Sequence, residues 1–219
     1  MLTTENTIVT GFEAAVRGMR NPLNSWAKSD SHPCDQELPD ERCDLEKQAF
    51  CLGNDDYNLM QRLIKAGKDH AKFMRFITVT TDIVAPLYWW KEFDTYKVGT
   101  VANSCSTMHT IHKKPFNLDD FSTEYLNSRN YSVLDSVIVA LNAARRNYLE
   151  SKSKLDWWQM IQLLPSSYNQ RRTVMLNYQV LQNIYHARKD HKLDEWHTLC
   201  AWIERLPYSQ LITGGDTNG

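Results

Sequence analysis

The sequence lacks the features that mark several large classes of protein. It has no apolar stretch of membrane-spanning length among its 219 residues, so we expect no membrane span. Neither sign of charge dominates, because 25 basic residues are balanced by 26 acidic ones. A nucleic-acid-coating protein would show a basic excess, so we expect no nucleic-acid partner. The N-terminus has no basic start followed by an apolar run, so we expect no secretion signal and a cytoplasmic location.

The cysteines are few and do not form a recognised metal motif. There are five, an odd number, and no Cys-x-x-Cys pair occurs. Cys34, Cys43 and Cys51 lie loosely together and, with His32, offer one alternative, a zinc site in an interaction protein. We prefer free, reduced thiols and predict no metal.

Sequence signatures of common catalytic machinery are also missing. The chain contains no Gly-x-Ser-x-Gly elbow, no glycine-rich phosphate loop and no dinucleotide fingerprint. Cys105 has no assured basic partner. Motifs of this kind therefore identify no catalytic residue.

The composition favours a folded domain. Hydrophobic residues make up 42% of the chain and aromatic residues 11%, which is enough for a core. We predict a single domain over residues 1–219, with an irregular excursion at about 21–54, where prolines and turn formers are frequent.

Local patterns predict an α/β (α+β) fold in which helices flank a central β-sheet. β-Branched and aromatic residues favour a strand over Phe73–Ala85, and prolines mark helix boundaries. The predicted elements are a strand and a short helix within 1–20, a helix from Asn54 or Asp55 to Gly67, the strand Phe73–Ala85, a helix from Pro86 to near Gly99, a turn capped by Asn117, a helix over 131–151, a helix over Gln170–Lys189 and a helix over 193–206.

The stretch "YKVGTVANSCSTMH", residues 96–109, is rich in hydrogen-bonding side chains although it follows an aromatic segment. One interpretation is a turn that is satisfied by local side-chain-to-backbone bonds. The other is a polar loop that wraps a ligand, with donors around Ser104, Ser106 and Thr107 suited to phosphate. Periodicity does not decide between them.

Arg188 falls near the end of the predicted helix Gln170–Lys189. It is eleven residues after Asn177, which places the two about 20° apart around a helix, with the apolar Ile184 on the same face. Arg188 either extends to solvent or an ion-pair partner, or points into a cleft and binds an anion with its planar fork.

These two segments together resemble the flavin-dependent thymidylate synthases, whose signature is R-H-R-x-x-S-x-N-E-x-S-x-R-Y. Ala85-Pro86 leads a helix containing Lys91-Glu92-Phe93, and Asn103 and Ser106 fall on the Asn and second Ser of the signature. With one residue inserted near Ala102, Thr95-Tyr96-Lys97 replaces Arg-His-Arg and Thr100 replaces the first Ser. Without the insertion, the triplet is Tyr96-Lys97-Val98.

The later segment resembles the family's pattern of a Leu-Pro, an Asn, a helix ending in Leu-Arg, a His and a Gln-Trp. The matching residues are Leu164-Pro165, Asn177, Leu181, Asn183, Arg188, His191 and Trp196. The resemblance implies a nucleotide site that includes Arg188, Glu92, Ser104, Ser106 and Thr107. It also implies a cofactor site that includes Lys97, Tyr96, Thr100, Asn103, Asn183 and Asn177.

Several signature residues differ from the family. Thr95 and Tyr96 stand in place of the first Arg and the His, Ser104 in place of the Glu, and Met108 in place of the last Arg. Methionine cannot donate to a phosphate, and threonine carries no charge. Basic residues from elsewhere are therefore expected to contribute, with Arg17, Arg20 and Arg171 as candidates.

The resemblance implies an enzyme of pyrimidine nucleotide metabolism. Such an enzyme methylates dUMP to dTMP with methylenetetrahydrofolate and reduced flavin, held as FAD. It is a homotetramer whose sites are built from several subunits. The alternative is a non-catalytic or altered-specificity nucleotide-binding or assembly protein on the same fold.

Overall fold

A computed structural model describes residues 1–34 and 50–214 of the chain. Strand formation follows the alternation of buried and exposed side chains, which is clearest in the strand that begins at Thr78. The strands are β1 (Thr3–Thr10), β2 (His32–Pro33), β3 (Phe50–Cys51), β4 (Thr78–Pro86), β5 (Val101–Ser104) and β6 (Asn169–Asn177).

Nine α-helices lie in the described residues, and side-chain caps begin several of them. Asn127 accepts a hydrogen bond from the N–H of Asn130, and Ser153 accepts one from that of Leu155. The helices are α1 (Phe12–Arg20), α2 (Asn54–Lys65), α3 (Leu87–Phe93), α4 (Thr107–Thr110), α5 (Ser128–Ser151), α6 (Lys154–Leu163), α7 (Tyr178–Arg188), α8 (Asp194–Glu204) and α9 (Gln210–Thr213).

The main sheet is antiparallel and has the strand order β1-β4-β6-β5, so β4 and β6 are central. In β4 every second residue is buried, namely Val79, Thr81, Ile83 and Ala85. β5 is an edge strand, and all four of its residues are exposed. β2 and β3 form a separate antiparallel pair. The predicted α/β class with helices around a central sheet is confirmed.

The chain divides into two compact units. The first comprises Met1–Thr3, Ile83–Thr95 and Asn103–Arg172. The second comprises the described residues of Thr4–Asp82, Tyr96–Ala102 and Thr173–Gly219.

Each unit has its own apolar core. In the first unit the rings of Trp89 and Phe93 stack at 5.1 Å, and a further cluster forms around Leu141 and Met160 on α5 and α6. In the second unit Phe12 packs edge-on against Tyr178, with ring centroids 5.8 Å apart. Trp89 and Trp90 are both buried, so this pair of tryptophans serves packing.

Three predicted elements are wrong in part. The helix predicted from Pro86 to near Gly99 spans only Leu87–Phe93. Residues Gln170 to Asn177 belong to strand β6 and not to a helix, because burial alternates there and the helical pattern begins only at Tyr178. Residues Ala71–Arg75 form a 3₁₀ helix, so the predicted strand begins at Thr78 rather than at Phe73. In β6 the apolar run is short, Val174 to Leu176, and pattern alone does not assign such a run to a helix or a strand.

The expectation of free thiols is wrong for Cys34, which is disulfide-bonded. The pairing of β2 with β3 also places the sulfur of Cys34 2.7 Å from that of Cys51, a contact longer than an S–S bond of about 2.05 Å, so Cys51 is not its disulfide partner. Cys105 and Cys200 are free. The zinc alternative involved Cys43, which lies outside the described residues, and no metal-binding cluster occurs within them. None of the helices in residues 1–34 and 50–214 is long and apolar enough to cross a membrane.

Candidate functional site

In the second unit, Arg188 lies against two aromatic rings. As the last residue of α7, it donates from Nε to the hydroxyl of Tyr96 over 2.9 Å. Its guanidinium carbon lies 4.8 Å from the ring centroid of Trp196 and 5.7 Å from that of Tyr96. We call Arg188, Tyr96 and Trp196 the arginine–aromatic cluster. These contacts fix the plane of the guanidinium group. A lysine at this position has no planar group and would not stack on the rings in this way.

The segment that carries Tyr96 lies along α7. Asn177 caps the start of this helix by accepting a hydrogen bond from the N–H of Val180 over 3.0 Å. Gly99 has φ +76°, and a β-carbon there would lie 2.8 Å from Nδ2 of Asn177. A larger residue would be strained in conformation and crowded against the cap. Glycine thus lets the segment approach one end of α7, while Tyr96 contacts Arg188 at the other.

The remaining predicted residues of the second unit are less engaged. Lys97 and Asn183 are exposed. The hydroxyl oxygen of Thr100 is buried and has no hydrogen-bond partner in the described part of the chain. A buried hydroxyl in this state is costly, so Thr100 is suited to bind a polar atom of a ligand.

In the first unit, a pocket of about 430 Å³ opens beside the end of β5. Two of the predicted nucleotide-binding hydroxyl residues, Ser106 and Thr107, line it. Three cations, Lys113, Lys114 and Arg171, line it as well. We call this cavity the Ser106 pocket. Hydroxyls and cations around one cavity are the groups that bind a phosphate.

Hydrogen bonds to the backbone hold the part of the Ser106 pocket that is formed by Cys105 and Ser106. The N–H of Cys105 donates to the carbonyl of Arg171 over 2.9 Å, and the Gln170 side chain donates to the carbonyl of Cys105 over 2.8 Å. Ser106 then caps α4 by accepting from the N–H of His109 over 3.0 Å. Gln170 is buried, so its amide is a fixed support.

Arg172 supports Gln170 in turn. Its Nε donates to Oε1 of Gln170 over 3.0 Å, and its terminal nitrogen pairs with Asp94 over 2.7 Å. The guanidinium lies 4.2 Å from the ring centroid of Trp90 on α3. A chain of contacts thus connects the aromatic helix to the polar segment at Cys105. It explains why a run of hydrogen-bonding residues follows a buried aromatic helix.

Two side chains that line the Ser106 pocket, Lys114 and Tyr168, have raised pKa values. Lys114 pairs with Asp120, and this hydrogen bond raises the pKa of Lys114. Burial raises the pKa of Tyr168, which also lines the pocket, and the charge of Asp120 adds to this rise. The Tyr168 hydroxyl is therefore held in its neutral, donating form.

The other sequence-predicted residues lie outside this cavity. Asn103 and Ser104 are exposed on β5, and Glu92 lies on α3 with its carbonyl bound by Thr95. None of these three lines the Ser106 pocket. Of the cations suggested as replacements, Arg171 lines it, while Arg20 is buried in an ion pair with Asp56 at 2.6 Å. Arg17 is exposed on α1.

Sequence reasoning missed Lys113, Lys114 and Gln170. The signal for the lysines was the short run "HKKP", which begins two residues after α4 ends. The role of Gln170 was not recognised, because its position was assigned to a helix. A further pocket of about 410 Å³ in the second unit is lined mainly by apolar residues, among them Leu59, Leu63 and Phe73, and contains none of the predicted site residues.

The segment that replaces Arg-His-Arg does not by itself fit the charged part of FAD. Thr95 and Tyr96 carry no positive charge, and the Tyr96 hydroxyl already accepts from Arg188. Lys97 is the single cation of residues 95–104. The buried Thr100 hydroxyl can serve a flavin ring or sugar, but one ammonium group is a poor match for a pyrophosphate.

Comparison with solved structures gives matches over almost the whole chain. Thymidylate synthase X from Helicobacter pylori, with FAD and dUMP, has a TM-score of 0.65 at 18% identity, covering 96% of this chain and 97% of that one. A second structure, described as a flavin-dependent thymidylate synthase from the same organism complexed with FAD and dUMP, gives 0.64 at 18%, covering 95% and 97%.

A third match is the UMP/dUMP methylase PolB from Streptomyces cacaoi, bound with 5-Br dUMP. Its TM-score is 0.60 at 13% identity, covering 98% of this chain and 95% of that one. Neither protein-family models nor curated proteins give a match. This chain therefore has the fold of the flavin-dependent thymidylate synthases.

Proposed function

We propose that this protein is an enzyme of pyrimidine nucleotide metabolism that binds dUMP and methylates it to dTMP. The observation that carries the proposal is the Ser106 pocket, where the signature-matched hydroxyl of Ser106, the neighbouring hydroxyl of Thr107 and three cations line one cavity. Its chemistry suits a nucleoside monophosphate, whose phosphate is a dianion. The solved structures with this fold support uracil as the base, because they contain dUMP or 5-Br dUMP.

The protein's own residues would bind and orient the nucleotide. Thr107 can donate its hydroxyl proton to a phosphate oxygen, and Arg171 can present a planar fork. Gln170 keeps the backbone at Cys105 in place beneath them. Arg188 is a second candidate contact for a nucleotide, because it matches a nucleotide-binding arginine of the family and its guanidinium is held by aromatic rings.

The finer part of the proposal concerns the cosubstrates. In the family, methylenetetrahydrofolate supplies the carbon and a reduced flavin supplies the hydride. Since residues 95–104 offer one cation, FAD binding here would need cations from a neighbouring subunit of a homo-oligomer. Thr100, Asn103 and Asn183 remain the proposed contacts for uncharged parts of the flavin.

A second candidate function is nucleotide binding without catalysis. The observation that favours it is the loss of charge at Thr95, Tyr96 and Met108. The fold would then serve as a nucleotide-binding or assembly module.

One set of measurements separates these functions. Small molecules released from the purified protein by denaturation are identified by mass spectrometry, and dUMP, UMP and CMP are titrated by calorimetry. Bound flavin together with conversion of dUMP to dTMP, when folate and a reductant are supplied, supports the methylase. A colourless protein that binds dUMP without turnover supports the second candidate. A protein that binds none of these nucleotides contradicts both.

A further inference from the structure

We infer that Lys113 is a phosphate-binding residue of the Ser106 pocket and replaces the arginine that the signature lacks at Met108. The inference rests on the proposed function for the identity of the ligand. It rests on the pocket's own geometry for the role of the lysine. An ammonium group supplies both charge and rotatable donors for a phosphate dianion.

The side chain of Met108 cannot bind a phosphate. Its side chain is 45% exposed and apolar, and its carbonyl oxygen accepts from the indole of Trp157 over 3.1 Å. The backbone at this point is therefore fixed by α6, while the side chain offers no donor. A phosphate in the Ser106 pocket needs its charge balanced by another residue.

Lys113 is the lysine of this pocket with an uncommitted charge. Lys114 forms an ion pair with Asp120, whereas Lys113 has no ion pair or side-chain hydrogen bond within the described part of the chain. Both line the cavity. An exposed ammonium group without a partner is available to an incoming anion at little cost.

The backbone that carries Lys113 is held from two sides. Its N–H donates to the carbonyl of Thr110 over 2.9 Å. From α5, Arg145 donates to the carbonyl of His112 over 2.8 Å, and Asn142 bonds both the N–H and the carbonyl of Phe116 at 2.9 Å each. Arg145 and Asn142 are three residues apart on one face of α5. The turn at Lys113 is thus positioned before any ligand binds.

The test compares Lys113→Gln with Lys113→Arg and with the control Lys154→Gln, which removes an exposed lysine from the start of α6. Affinities for dUMP and for the uncharged nucleoside deoxyuridine are measured by calorimetry. Loss of a charge-assisted bond should weaken dUMP binding about tenfold or more in Lys113→Gln. Lys113→Arg should recover most of it, and Lys154→Gln should bind as wild type does. Deoxyuridine binding should not change in any variant.

A second readout is the acetylation rate of Lys113, followed by mass spectrometry with and without ligand. Protection by dUMP supports the inference. Equal dUMP affinity in wild type and Lys113→Gln overturns it and leaves the proposed function intact. If wild type binds no dUMP but inorganic pyrophosphate protects Lys113, the proposed function fails and the anion site stands. Absence of protection by either probe overturns the site.

Discussion

At the residue scale, the arginine–aromatic cluster has features of both a ligand site and a structural contact. Arg188 is partly buried at the end of α7 and contacts Trp196, which is fully buried. Stacking on an aromatic ring keeps a guanidinium planar and oriented at a low entropy cost. The same contacts mean that removing the arginine also removes packing. A test of its role must therefore separate affinity from stability.

We predict that Arg188→Lys weakens dUMP binding by roughly 1.5–3 kcal/mol, or about ten- to more than a hundredfold. The charge is retained, but the fork and its stacking on Trp196 are lost. The unliganded melting temperature should fall less than in Trp196→Ala, which leaves a core cavity. Calorimetric titration and thermal unfolding give the two quantities. Unchanged affinity would make Arg188 a structural residue.

The backbone conformation and the close packing at position 11 require a glycine. It has φ +94°, and a β-carbon there would lie 1.9 Å from the carbonyl oxygen of Phe76. Gly67 has φ +107° but nothing within 4 Å of the same position, so it is a matched control.

We predict that Gly67→Ala costs about 1–2 kcal/mol of unfolding free energy, from backbone strain alone. Gly11→Ala should cost about 3–5 kcal/mol, because the backbone carbonyl must also move. Denaturant unfolding measures both. Equal losses in the two variants would show that the start of α1 moves away from Phe76 without cost.

At the scale of elements, α7 and α8 are joined by a hydrogen bond that depends on pH. The hydroxyl of Tyr185 on α7 donates to Oε1 of Glu204 on α8 over 2.8 Å. This bond is the main cause that raises the pKa of Tyr185 to about 12 from its ordinary value near 10. The neutral hydroxyl is thus favoured in the folded state.

We predict that this contribution is fully present below pH 10 and is lost as the pH rises towards 12, since the unfolded chain ionises first. Tyr185→Phe lacks the titrating group. Its melting temperature should therefore decline less steeply between these pH values than that of wild type. The other tyrosines are the same in both proteins, so their titration contributes equally to both curves. Parallel curves would contradict the prediction.

The elements also show what local sequence can reveal. The helices α5 and α8 and the capped turn at Asn117 follow from apolar spacing and capping residues, and they were predicted. Strand β6 was not, because "QRRTVMLN" has no strong turn signal before α7. Its neighbours β4 and β5, which decide its structure, are distant in sequence.

The candidate site was predictable to a similar degree. Arg188 and Ser106 were proposed through the family pattern, Thr107 through its hydroxyl in the polar segment, and Gly99 lay within that segment. The support from Gln170 and Arg172 was not, because it depends on contacts with Trp90 and Cys105 across 80 and 65 positions of sequence. No periodic pattern reports such pairs.

At the scale of the whole molecule, several large apolar side chains are exposed on and near α5. In the first unit Tyr125 is 84% exposed, and Val133 and Val139 on α5 are 58% and 62% exposed. The first half of α5 buries only Leu134 and Ile138. A helix that exposes valines in this way is suited to contact a second copy of the chain.

We predict that the protein is a homotetramer in solution and that α5 contributes to its contacts. Sedimentation velocity at micromolar concentration should give a tetramer. The double variant Val133→Glu, Val139→Glu should give smaller species, because burying two carboxylates at an apolar contact is costly. The control Leu23→Glu places a charge at a side chain that is 85% exposed in the second unit, and should remain tetrameric.

If sites are completed by neighbouring subunits, the dissociated variant should also lose any bound flavin. Its isolated chains should stay folded, as measured by circular dichroism. A wild-type monomer would contradict both the assembly and the shared site.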